Sequence, residues 1–136
     1  MKRYLSLIFA ALLFLAATPW AHANEFSDLR TKLSAARESL VTMLTNKDKR
    51  GAEQQKIVKD TADAVSAHLA KLKAPAGKEA QFKALVDNWT AFKKTRETDL
   101  VPAILAGKDD EARKIAGGVQ KERITKCQEM VGELGG

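Results

Sequence analysis

The chain has 136 residues, a formal net charge of +6 and one cysteine. That length supports a single hydrophobic core but not two, and a lone thiol cannot staple its own chain. The 23 basic and 17 acidic residues are mixed along the chain, which is the pattern of solvated helix faces and not the concentrated basic stripe of a nucleic-acid binder.

The first residues have the form of an export leader. Lys2 and Arg3 supply a positive start, and Leu5 to Ala17 is apolar with Ser6 as its only polar interruption. Pro19 follows the run, and Ala21-His22-Ala23 is a small-x-small cleavage signal, which places the cut between Ala23 and Asn24. The run is short for a membrane span, which needs about 20 apolar residues. The expected organisation is a signal peptide over residues 1–23 and one domain over residues 24–136. Cleavage removes two cations and no acid, lowering the net charge of +6 by two. The mature protein is expected to be periplasmic or secreted and free of the membrane.

Four segments then carry apolar residues at steps of three and four, the spacing of one helix face. Phe26, Leu29, Leu33, Ala36, Leu40 and Met43 predict a first helix from about Phe26 to Thr45. The stretch Asn46 to Gly51 breaks the pattern, and its basic residues Lys47, Lys49 and Arg50 predict a solvated loop. Val58, Ala62, Val65, Leu69 and Leu72 predict a second helix from about Ala52 to Leu72, ended by Pro75 and Gly77. Phe82, Leu85, Trp89 and Phe92 open a third, which Pro102 should kink or end because it lacks an amide hydrogen and clashes with the preceding turn. Gly107 supplies a stop, and Asp109 and Asp110 suit the positive start of a fourth helix running to about Leu134. Its expected seam is Ala112, Ala116, Val119, Met130 and Leu134. Short connections make neighbouring helices antiparallel, so the expected fold is an all-α, up-down-up-down four-helix bundle.

The segment Trp89-Thr90-Ala91-Phe92, followed by Ala103-Ile104-Leu105-Ala106-Gly107-Lys108-Asp109-Asp110-Glu111-Ala112, resembles the periplasmic four-helix-bundle sensory domain of methyl-accepting chemotaxis receptors. Members carry a Trp and an aromatic on helix three, an apolar–small–Gly–charged turn, and Glu-Ala opening helix four. The likeness is strongest over Leu85 to Leu134, and the first two helices agree in pattern alone. Such receptors continue into a second transmembrane helix and a cytoplasmic module, whereas this sequence stops at Gly136. The resemblance therefore implies a stand-alone sensory module, not an enzyme, whose output passes through a protein partner or a second copy. Length and topology also resemble small exported haem bundles, the soluble b-type cytochromes and cytochromes c prime. The ligands depart from that pattern. Ile124-Thr125-Lys126-Cys127-Gln128 keeps only the second Cys of Cys-x-x-Cys-His, and no His follows His68. No cofactor is expected.

Two cations fall on apolar stripes. At about 100° per residue, Arg96 lies near Leu85, Trp89 and Phe92, and Arg123 lies among Ala116, Val119, Met130 and Leu134. A charge in a helical interior needs an anion, a carboxylate or water. Arg96, Arg123 and Trp89 are thus the candidate binding residues for a small anionic ligand, with a guanidinium fork gripping carboxylate. The structural alternative pairs the arginines with Asp87, Glu97 or Asp99. Gly117 and Gly118 count level with Arg96 and would leave room for its head, while Arg123 approaches the level of the Trp89 indole. Trp89 and Phe92 also fit as plain core. His68 reads as a boundary residue, and Cys127 as a small buried hydrophobe or a bridge between two copies. No catalytic grouping and no metal-ligand spacing is visible.

Overall fold

The structure, a computed structural model, describes residues 19–135, with side chains from Asn24 onward. Residues 1–18, most of the expected signal peptide over 1–23, lie outside the described residues, as do the side chains of residues 19–23. Helix α1 spans Pro19–Thr45 and a single 3-10 turn, Lys47–Lys49, follows it. Helix α2 is Ala52–Lys71 and α3 is Glu79–Thr95. A π-helical turn, Arg96–Leu100, joins α3 without interruption to α4, Val101–Leu105. Helices α5, Asp109–Gly117, and α6, Val119–Gly135, are separated by Gly118 alone. The described residues thus form four helical segments, α1, α2, α3–α4 and α5–α6, with no strand among them.

The first three seams pack as their spacing predicts. Phe26, Leu29, Leu33, Ala36, Leu40 and Met43 are buried, as are Val58, Ala62, Val65, Leu69 and Leu72. Leu85, Trp89 and Phe92 join them, with Phe82 half-buried against the same core. Burying one such side chain stabilises the fold by about 1.5–3 kcal/mol, so the shared interior is the main source of stability. The fourth seam holds in part: Ala112 and Leu134 are buried and Ala116 and Met130 are half-buried against the core, but Val119 is 41% exposed, and α6 also turns Gln120, Ile124, Cys127 and Val131 inward. Gly118, with φ of −101° and ψ of −110°, interrupts the helix between its two parts. A Cβ there would stand 2.8 Å from the Lys114 carbonyl oxygen, so the break needs glycine, whereas a Cβ at Gly117 meets nothing within 4 Å.

Pro102 does not end the helical segment, which passes from α3 through a π turn into α4. The widened turn before it carries a bond from the Val101 amide to the Arg96 carbonyl, five residues back, and α4 starts with proline in its first turn. A proline there lacks only an amide hydrogen that has no partner at a helix start. The segment ends at Gly107, whose φ of +72° lets the Lys108 amide reach the Ala103 carbonyl at 2.9 Å and its own amide reach Ile104 at 3.1 Å. This left-handed terminator turns the chain into α5.

Arg50, expected in a solvated loop, is instead packed, with 13% of its side chain exposed. Its Nε donates to the Met43 carbonyl at 3.0 Å and its Nη2 to Leu44 at 2.9 Å. Nη1 reaches the Ile104 carbonyl at 3.3 Å and Asp109 Oδ1 at 2.9 Å. The last carbonyls of a helix have no intrahelical partner and carry the negative end of its dipole. One guanidinium therefore satisfies the ends of α1 and α4 and ties both to the start of α5.

Two tests follow from these turns. Gly118→Ala should lower stability by about 1–3 kcal/mol through the clash with a fixed carbonyl, while Gly117→Ala should be neutral or stabilise by up to about 1 kcal/mol; urea unfolding of the pair measures the contrast. Hydrogen bonds from Lys47 and then Arg50 hold the Asp109 carboxyl below the usual carboxylate range. A depressed carboxyl contributes stability above its unfolded pKa, about 3.9, and loses it as pH falls through the folded value. Asp109→Asn should therefore flatten the acid limb of a stability profile measured from pH 6 down to pH 2, leaving the slope above pH 6 unchanged.

Candidate ligand-binding site

The structure does not bring Trp89, Arg96 and Arg123 together: Trp89 and Arg96 bond to α2, Arg123 bonds from α6 to Ala91 and Thr95 on another face of α3, and each is engaged within the fold. The Trp89 ring is 2% exposed and stacks on Phe92 with centroids 5.4 Å apart and planes at 26°. Its indole N–H donates to Ser66 Oγ of α2 at 3.0 Å. That bond satisfies the polar handle of a residue otherwise buried for its size.

Arg96 lies in the π turn and is 3% exposed. Nη1 donates to the Val58 carbonyl of α2 at 2.7 Å, and Nη2 pairs with Glu97 Oε1 at 2.8 Å. The guanidinium thus reaches α2 and takes the carboxylate of its own chain neighbour; it does not occupy space beside Gly117 and Gly118. Its Nε is buried without a hydrogen-bond partner. Such an orphan donor costs about 1–3 kcal/mol.

Arg123 is half-buried on α6. Its Nη1 donates to Thr95 Oγ1 at 2.6 Å, to the Ala91 carbonyl at 3.2 Å and to Gln120 Oε1 at 3.4 Å. These acceptors hold its head along α3 beyond the Trp89 ring. Gln120, which sequence spacing leaves out of the core, is 2% exposed and donates its own Nε2 to the Phe92 carbonyl at 2.9 Å. Arg123, Gln120 and α3 form one connected set of hydrogen bonds.

His68 is half-buried between Lys32 Nζ, 3.3 Å from Nδ1, and the Glu25 carbonyl, 2.9 Å from Nε2. A lysine ammonium only donates, so Nδ1 accepts and the ring proton sits on Nε2, donating to Glu25. Burial pushes the Cys127 thiol up to about 12, and the residue is fully enclosed. It therefore stays a protonated core side chain that cannot meet a second copy while the protein is folded. Among the described residues no three His, Cys, Asp or Glu side chains converge as a metal site.

The open concavity lies elsewhere. A groove of about 300 Å³ runs between α1, α3 and the α5–α6 break. Leu40, Leu44, Phe92, Leu100 and Ile124 give it apolar walls, and Ala116 and Gly117 keep them apart. Three cations line it, Arg37 from α1, Arg113 from α5 and Lys121 from α6, with no carboxylate. All three are exposed, and none enters an ion pair among the described residues. Each directly follows a buried seam residue, Ala36, Ala112 or Gln120. That adjacency is the only signal of the groove in the sequence, where the three read as ordinary solvated charges. The volume is at the lower end of small-ligand pockets, about 300–1,000 Å³, which combine apolar walls with a few polar groups.

No family model, curated protein or solved structure matches the chain.

The bonds of Arg96 to α2 make it a cross-link between helices. Arg96→Ala should lower unfolding free energy by about 2–4 kcal/mol, since a buried group and its charge-assisted bonds are lost together. Arg96→Met should recover part of that loss, because it keeps the volume and removes the orphan Nε–H. Denaturant titration of both variants measures the difference.

Proposed function

We propose that this chain is an exported, non-enzymatic binding module. We further propose that its four segments form an antiparallel up-down-up-down bundle. Several cross-links support that arrangement, because their residue numbers rise on one helix as they fall on the other. Between α1 and α2 these are Gln54 to Ser39, Thr61 to Ser39 and His68 to Glu25. Between α2 and α3 they are Ser66 to Trp89 and Val58 to Arg96. Between α3 and α6 they are Phe92 to Gln120 and Ala91 to Arg123, and the Lys78 side chain, just before α3, reaches the Glu133 carbonyl at 2.8 Å.

The observation that carries the binding reading is the groove at the α5–α6 break. An apolar concavity open to solvent and lined by unpaired cations does nothing for stability, since filling it would bury more surface. The pattern from Trp89 to Ala112 supports kinship with chemoreceptor sensory domains, and in that reading ligand occupancy is passed to a protein partner. The charged start, apolar run and Ala21-His22-Ala23 support export. No helix among the described residues is long and apolar enough to cross a membrane.

A thermal-shift screen of the exported protein against a broad panel of small metabolites tests the module. A ligand present at 100 times its Kd stabilises by about 2.7 kcal/mol, several degrees in Tm for a domain of this size. At least one chemical class should give such a shift. A panel without any shift, together with a defined protein partner captured by crosslinking, would make the chain a structural bundle instead.

A further inference from the structure

We propose that the groove takes a small amphiphile, a carboxylate head on an apolar tail. Arg37, Arg113 and Lys121 surround the head, and Leu40, Phe92 and Ile124 lie against the tail. This assignment deepens the binding-module reading and rests on it.

The walls argue for the tail. The buried polar group among them is Gln120, and both ends of its amide are used. Its Nε2 donates to Phe92, and its Oε1 accepts from Arg123. The floor offers a sugar or a peptide little beyond the second amide N–H of Gln120, so most of their polar groups would enter unpaired at a cost of about 1–3 kcal/mol each. A hydrocarbon chain has nothing to satisfy and gains about 0.8 kcal/mol per CH₂ buried.

The charges argue for the head. Three cations from three different helices line one small concavity without a carboxylate to balance them. Like charges repel, and an oxyanion placed among them relieves that repulsion while accepting their N–H bonds. Their exposed heads confine the anion to the mouth and leave the floor apolar. The same charges disfavour the chain's own leader as occupant, because its start carries Lys2 and Arg3. Three cations are too few for a nucleic acid, whose backbone asks for a longer stripe.

Calorimetry of the full chain against decanoate, below its micelle concentration, tests the assignment. Decanol, with the tail and no charge, and acetate, with the charge and no tail, complete the set. Decanoate should bind at least ten-fold more tightly than either. Raising salt from 50 to 500 mM should weaken it. Arg113→Gln/Lys121→Gln should cut decanoate affinity about ten-fold without lowering Tm, since neither residue has a partner to lose. Lys71→Gln/Lys73→Gln, which removes the same charge outside the groove, should leave affinity unchanged. Decanol binding as tightly as decanoate would overturn the assignment, and so would equal losses in the two double variants. Dimerisation that decanoate does not reverse would also overturn it and make a second copy the occupant. If decanoate fails while another metabolite shifts Tm, only the ligand class falls. If nothing in the panel shifts Tm, the module reading falls with it.

Discussion

Main-chain carbonyls used a second time are the constraint on which the remainder of this fold depends. A helical carbonyl already accepts one bond along its own helix and has a lone pair left. Arg96 takes that site on Val58, Gln120 on Phe92, Arg123 on Ala91 and Gln54 on Ser39. Each bond joins one helix to another at a defined residue. Apolar contact is non-directional and tolerates sliding along a seam. These polar contacts do not, because a shift of one residue would leave a buried donor unpaired. They set which turn of one helix faces which turn of the next.

Arg50 applies the same chemistry at one end of the molecule. The final turns of α1 and α4 expose carbonyls that nothing in their own helices can satisfy. Bringing one guanidinium to both, with Asp109 as counter-ion, converts two loose ends into a single junction. Exposed pairs along the helix surfaces, such as Lys56 with Asp60 and Lys83 with Asp87, differ in kind. They are four residues apart on one helix and largely solvated, so each contributes only a few tenths of a kcal/mol and joins nothing across helices.

Local breaks connect this framework to the proposed function. The π turn at Arg96–Leu100 places Arg96 where it can reach α2 and lets Pro102 continue the segment. The break at Gly118 separates α5 from α6 just before exposed Val119 and buried Gln120. It also leaves Gly117 without a neighbour in the wall of the groove. The groove thus lies beside the break, with Gly117 in its wall. Helix irregularities of both types commonly mark sites where geometry serves something other than stability.

The sequence by itself determined helix class, the number of segments and three of the four buried seams, because Phe26 to Met43, Val58 to Leu72 and Phe82 to Phe92 are long, regular patterns decided by local periodicity. It also singled out Arg96, Arg123 and Trp89 as unusual, since their angle on a helix is a local property. Tertiary structure alone decided what those residues do. Glu97, the chain neighbour of Arg96, is among the carboxylates the sequence offers, but Val58 and Ser66 cannot be chosen as partners until the helices meet, and main-chain carbonyls leave no trace in residue identity. The same holds for Arg50, whose neighbours in sequence look like loop, and for Arg37, Arg113 and Lys121. Arg113 and Lys121 flank the break at Gly118, and only the packing of α1 against that part of the chain adds Arg37 to the same concavity.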